Sequence, residues 1–262
     1  MFELASDAIC VNNDESVIIF VSDMHLLPEA DRLTDPSGFL LALEDLLPTD
    51  CSHLFLLGDL FEAWVGDDAD IPARHAFAKA LSGLRQRCQQ SLKLYLMHGN
   101  RDFLIGGRFC AEVGAKLMPE PTRLHAFGLD AGLAHGDAFC TDDSAYQDFR
   151  RQVRQASWQQ DFLAQPIKKR LEIAFAMRSE SEAAKRQKTF AIMDANETAL
   201  HAWVQQHHVA VLIHGHTHRP ALHQGLFQRW VLPDWDAKRQ RGGWLRWDKL
   251  GFKAQGPFGP WA

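Results

Sequence analysis

Five short clusters of oxygen- and nitrogen-bearing side chains punctuate the sequence: Asp23-Met24-His25, Gly58-Asp59, Gly99-Asn100-Arg101-Asp102, His135-Gly136-Asp137 and His214-Gly215-His216-Thr217-His218. Carboxylate, carboxamide and imidazole groups bind divalent cations, and a set without thiolate suits Mn(II), Fe(II) or Zn(II). An Asp-x-His pair leaving a strand lets two side chains reach one cation from a short loop, and the two oxygens of Asp59 can bridge two cations. Asn100 adds a neutral oxygen ligand, and Arg101 beside it is a guanidinium fit to clamp a phosphoryl group. Taken singly, each cluster has an ordinary alternative. Asp and His are common loop residues, Gly-Asn is a favoured turn dipeptide, and the histidine triplet alone is balanced between metal binding and local packing. Two cations ~3.5 to 4 Å apart would grip phosphoryl oxygens and lower the pKa of bound water towards ~7, so that no protein nucleophile is required.

The elements that must position these clusters are short apolar runs, each ending at one of them. They are Val17 to Val21, His53 to Leu57, Leu92 to Met97, Gly132 to Ala134 and Val209 to Ile213. Runs of this kind read as strands covered on both faces. Helical patterns lie between them at 39–47 and 72–88, and the last strands are expected within 227–232 and 243–252. Alternating strands and helices give an α/β layered fold in which the polar loops converge at the strand ends.

The segment from about 139 to 188 breaks this rhythm. It carries 10 of the 28 Lys and Arg residues against 7 Asp and Glu, and it contains no strand-like run. We read it as a helical insertion. Phe149 and Val153, Trp158 and Phe162, and Ile167 and Leu171 each recur at four-residue spacing, which sets apolar faces opposite Arg150-Arg151-Arg154 and Lys168-Lys169-Arg170. The whole chain has 262 residues, is 46% hydrophobic and carries a formal charge of -5, enough to build a core and unsuited to gripping nucleic acid over a broad surface. Five scattered cysteines without a CxxC pair point to a reducing cytoplasm rather than a disulfide framework. No signal segment and no apolar stretch long enough to span a bilayer is expected.

In this order and at these strand ends, the five clusters resemble the signature of the calcineurin-like metallophosphoesterases, over nearly the whole chain. The resemblance implies a layered β-sandwich flanked by helices, with residues 139–190 forming a helical lid over the active site. It further implies that Asp23, His25, Asp59 and His218 hold one metal and that Asp59, Asn100, His135 and His216 hold the other, with Asp59 shared.

The flanking residues narrow the resemblance. Gly58 to Asp68, His98 to Leu104, His135 to Asp143, Ala191 to Asp194 and His214 to Pro220 look like the branch formed by the UDP-2,3-diacylglucosamine diphosphatases of lipid A synthesis. That branch implies two Mn(II) ions, a lipid-linked UDP-sugar substrate cleaved to UMP and 2,3-diacylglucosamine 1-phosphate, and peripheral attachment to the anionic cytoplasmic face of the inner membrane. It implies catalytic roles for Asn100 and Arg101, and substrate contacts from Asn100, Arg101, Asp143, Ser181, Lys185, Lys188 and His216. No nucleic acid and no obligate protein partner is expected. Competing readings are a phosphoesterase for another nucleotide diphosphate or phosphodiester, and a binding scaffold that has lost catalysis. Two departures are visible: about a dozen residues precede the first expected strand, and Pro233 stands where a glycine would be expected before Asp234-Trp235.

Overall fold

The computed structural model describes residues 8–88, 91–185, 192 and 194–262. Two six-stranded mixed sheets pack face to face. The first contains β2 (Ile18–Val21), β3 (His53–Leu57), β4 (Lys93–Met97), β5 (Ala115–Met118), β11 (Trp244–Asp248) and β12 (Gly251–Gln255), in the order β12-β11-β2-β3-β4-β5. The second contains β1 (Ile9–Val11), β6 (Thr122–Ala126), β7 (Leu129–Leu133), β8 (Val211–His214), β9 (Ala221–Gln224) and β10 (Gln228–Val231), in the order β1-β6-β7-β8-β10-β9. Pairing within β2-β3-β4-β5 is parallel, as is β7-β8-β10, so these strands end on the same side of their sheets.

The continuous apolar runs follow from this layering. Along β2 and β3, Ile18, Phe20, Phe55 and Leu57 point between the sheets, while Ile19, Val21, Leu54 and Leu56 point to the outer layer. That layer is built from α1 (Phe39–Leu41) with a turn of π-helix after it, α2 (Pro72–Arg87) and α3 (Gly107–Val113). A strand covered on both faces has no position left for a polar residue until it leaves the sheet. α7 (Glu197–His207) covers the outer face of the second sheet through Leu200, Trp203 and Val204.

The insertion is helical, comprising α4 (Ser144–Val153), α5 (Ala156–Leu163) and α6 (Ile167–Lys185). Its expected faces need correction. Val153 and Phe162 are buried, and Trp158 stacks on Phe162 and packs against the main core. By contrast, Phe149, Ile167 and Leu171 are exposed, and Phe175 is 73% exposed. The basic runs do not form one solvated face either. Arg170 is buried, donating to the Val65 carbonyl at 2.6 Å and pairing with Asp68. Arg154 donates to the Gly99 carbonyl at 2.9 Å, and Arg150 pairs with Asp137 and Glu120. Successive helical residues are turned by about 100°, so Lys168, Lys169 and Arg170 cannot share one side. Within the amino-terminal stretch, β1 adds a strand that the sequence did not mark, pairing in parallel with β6 through Ile9 and Leu124.

Candidate metal centre

Every expected donor leaves a strand end and enters the gap between the sheets. Asp23 and His25 follow β2, Asp59 follows β3, Asn100 follows β4, His135 follows β7, and His216 and His218 follow β8. Five of these residues, Asp23, His25, Asp59, His216 and His218, have φ between 51° and 66°, and they account for five of the eight non-glycine residues with positive φ among the described residues. Such a backbone costs roughly 1 to 3 kcal/mol per residue and persists where surrounding structure imposes it. Here it curls each loop so that its side chain points back over the strand end.

The donors fall into two halves. In one, the Nε2 atoms of His25 and His218 face each other at 3.2 Å, and Asp23 Oδ1 lies 3.3 Å from His218 Nε2. In the other, Asn100 Oδ1 lies 3.0 Å from His135 Nε2 and 2.9 Å from His216 Nδ1. Asp59 stands between them: Oδ2 is 3.8 Å from His25 Nε2 and Oδ1 is 3.7 Å from His135 Nε2. One oxygen faces each half, the geometry that a shared ligand requires.

The outer nitrogens fix what the inner ones can offer. His135 Nδ1 donates to the Leu57 carbonyl at 2.9 Å, which leaves the Nε2 lone pair aimed into the centre. His25 Nδ1 is 2.8 Å from Glu62 Oε2, and His218 Nδ1 is 3.4 Å from Asp234 Oδ2. The two Nε2 atoms lie 3.2 Å apart beside the Asp23 carboxylate, so His25, His218 and Asp23 present three donor atoms close enough together for one cation. The residues therefore fit divalent metal.

The field agrees. Burial opposes ionisation of Asp23, yet the hydrogen bond and charge of His218, with His135 and His25, hold its carboxyl well below the usual range. Burial likewise opposes charging of His135, but Asp59 and Asp23 push its pKa up to about 9, a measure of how strongly this pocket favours positive charge. His216 goes the other way, to about 3, from burial and the neighbouring His135, so it remains a neutral donor.

Several residues that hold the donors had no assigned role in the sequence reading. Asp102 is fully buried and accepts from the backbone N–H groups of Gly99 at 2.8 Å, Leu60 at 2.7 Å and Asp59 at 3.3 Å, tying the loops after β3 and β4 together. Burial and the neighbouring Asp59 raise its pKa to about 6. Asp23 Oδ2 accepts from Ser22 Oγ at 2.6 Å and from His216 N at 2.8 Å. Asp102 and Glu62 sit inside the motifs and were open to discovery there. Glu120 carried no spacing signal, and Asp234, noted only for the proline before it, was given no role; both are recruited from distant loops. Beyond Pro233, Trp235 N donates to the Asp23 carbonyl at 3.1 Å, so the loop with proline is docked on the centre.

The sequence profile of the calcineurin-like phosphoesterases matches residues 16–220. The chain belongs to the calcineurin-like phosphoesterase family. Among curated relatives, a UDP-2,3-diacylglucosamine hydrolase of Bordetella pertussis (strain Tohama I) is 44% identical over 241 residues, covering 88% of this chain and 92% of the relative. Proteins of the same name from Chromobacterium violaceum and Escherichia coli O6:H1 are each 43% identical. They cover 90% and 79% of this chain and 97% and 83% of their own lengths.

The remaining expected site residues lie around the donor cluster. Arg101 donates its backbone N–H to Asp59 Oδ1 at 2.8 Å, and its Nε is 3.8 Å from Glu62 Oε1. The same Glu62 oxygen is 3.2 Å from Arg178 Nε on α6. Asp143 caps the amino end of α4, accepting from Tyr146 N at 3.1 Å, and Ser181 lies half-buried on α6. Both are on the insertion, outside the donor cluster. Lys188 and the side chain of Lys185 lie outside the described residues, as do Ala191 and Met193. Among the described residues no helix is long and apolar enough to cross a membrane.

Proposed function

We propose that this protein hydrolyses the pyrophosphate bond of UDP-2,3-diacylglucosamine, releasing UMP and 2,3-diacylglucosamine 1-phosphate, with two Mn(II) ions held by the seven donors. The observation that carries the reading is the convergence of those donors on two half-sites sharing Asp59. The relatives' common name narrows the substrate. Bound at the two half-sites, the cations would supply Lewis acidity to phosphoryl oxygens and a water acidic enough to serve as nucleophile near neutral pH.

The chain's own residues do the rest. Asp23, His25 and His218 form one half and Asn100, His135 and His216 the other, and Asp59 belongs to both. Arg101 takes the charge that develops on phosphorus, and its backbone N–H holds Asp59 Oδ1, so clamp and ligand move as one. By the family resemblance, Asp143, Ser181, Lys185 and Lys188 bind the sugar phosphate, together with Asn100, Arg101 and His216. Residues 139–190 form a lid whose exposed apolar side chains, Ile167, Leu171 and Phe175, give the acyl chains or the membrane surface something to contact. Attachment to the cytoplasmic face of the inner membrane follows from the lipid nature of this substrate.

The test is product analysis in ¹⁸O-labelled water with Mn(II). Label is expected in UMP, and UDP-diacylglucosamine should turn over far faster than UDP-N-acetylglucosamine. Equal rates on the two would remove the lipid-specific reading.

A further inference from the structure

A buried polar network runs from the first helix of the insertion to the backbone and ring of two metal-donor histidines. Arg150, on α4, sends its guanidinium in two directions. Nε donates to Asp137 Oδ2 at 2.8 Å, and Nη2 donates to Glu120 Oε2 at 2.9 Å. The other Glu120 oxygen accepts from His135 N at 2.8 Å and from Gly136 N at 3.3 Å. Asp137 Oδ2 also accepts from Tyr146 Oη at 2.6 Å, and the Tyr146 ring lies over His216, with centroids 6.1 Å apart and planes 25° from parallel. Gln147, on the same helix, donates to the carbonyls of Asp137 and Cys140 at 2.8 and 3.1 Å.

The two carboxylates are side by side and withdrawn from water: Asp137 is fully buried, and the Glu120 side chain is 6% exposed. Ionised, they would separate without a cation between them. An ammonium is a single point of charge, whereas the planar guanidinium presents two N–H groups at a fixed angle and can hold both carboxylates at once. Glu120 then fixes the His135 backbone, and Asp137 fixes the tyrosine that backs His216.

We propose that Arg150 is a positioning residue for the half-site made by Asn100, His135 and His216, coupling the insertion's first helix to that half of the metal centre. It acts through Glu120, which holds the His135 backbone, and through Asp137, which holds the tyrosine over His216. The inference rests on the metal reading above. Its reach is selective, because the other half is fixed from elsewhere: His25 by Glu62 and His218 by Asp234.

The experiment is a Zn(II) titration of the full chain followed by the ¹⁵N imidazole resonances of His25, His135, His216 and His218. In Arg150→Lys, His135 and His216 are expected to need at least tenfold more Zn(II) than in the wild type, while His25 and His218 stay within about twofold. Arg151→Met, an exposed neighbour on the same helix, should titrate as wild type. The inference is overturned if all four histidines of Arg150→Lys titrate as in the wild type, or if all four weaken together, which would mark a general loss of structure. Should Arg150→Lys not fold, the isosteric Glu120→Gln decides: selective weakening at His135 and His216 supports the coupling, and unchanged or uniform behaviour rejects it. Wild-type protein whose histidines do not respond to Zn(II) would overturn the metal centre itself, and this inference with it.

Discussion

Gly99 offers a substitution whose consequence can be worked out in ångströms. A Cβ placed on Gly99 would lie 2.1 Å from Asp59 Oδ1 and 2.2 Å from Asp59 N. Contact between non-bonded heavy atoms is comfortable near ~3.5 Å, so Gly99→Ala forces a relative shift of about 1.3 Å between the loops after β3 and β4. Neither loop can yield freely, because Asp102 ties Gly99 N and Asp59 N to one carboxylate. The atom displaced is the oxygen that faces His135 and receives the Arg101 N–H. A misplacement of ~1 Å in a catalytic constellation costs about 10²-fold in rate, or about 2.7 kcal/mol of transition-state stabilisation. Crowding a packed interior costs about 1 to 3 kcal/mol of stability besides, which lowers Tm by about 2 to 10 °C in a chain of this size. Gly107, the first residue of α3, has no atom within 4 Å of a built Cβ and serves as the control. Gly107→Ala should leave turnover unchanged and stabilise the fold by up to about 1 kcal/mol. Steady-state turnover of UDP-diacylglucosamine with Mn(II), with Tm measured alongside, reads both variants. Gly99→Ala within threefold of wild type would refute the argument that this close approach fixes Asp59.

Two further outcomes follow from burial. Arg170→Met removes charged hydrogen bonds to the Val65 carbonyl and Asp68, a loss of about 2 kcal/mol felt by the insertion rather than by the sheets. Amide exchange in α6 should then quicken by roughly 30-fold while β2 and β3 stay protected, and unchanged exchange in α6 would refute the anchoring role. Burial, with Arg154 and Arg229 nearby, depresses the pKa of His98 and His214 to about 4 each. Between the ordinary histidine pKa near 6.5 and about 4, the unfolded chain therefore binds protons that the folded chain excludes. Stability should fall with falling pH there, by up to about 1.4 kcal/mol per pH unit for each histidine. His98→Gln keeps a donor for the Ile105 carbonyl and should flatten the urea-midpoint slope between pH 6.5 and 5; an unaltered slope would show that His98 does not contribute.

Much of the site was legible because its motifs are local. A strand buried on both faces must be apolar, so the first polar residues after it mark the strand end, and β2, β3 and β4 were placed within a residue or so by that rule. The strands β5, β6 and β9 escaped it because their burial is partial or alternating, which leaves no continuous apolar run. On the insertion, four-residue spacing identified helices but not which faces they would bury. That depends on what they land on, and among the described residues Ile167 and Leu171 stay exposed.

The sequence by itself determined the inventory: the donor types, their order, and the strand ends that carry them. Tertiary structure alone decided their relations. The two oxygens of Asp59 face opposite halves because β3 lies between β2 and β4 in the sheet, a neighbourhood set by strand order and not by spacing. Asp234 and Glu120 come to the donor histidines from distant loops, since a buried imidazole N–H or backbone N–H donates to any carboxylate that packing delivers. Arg150 and Arg170, placed by the sequence opposite the apolar faces of their helices, became buried ties once those helices had carboxylates to meet.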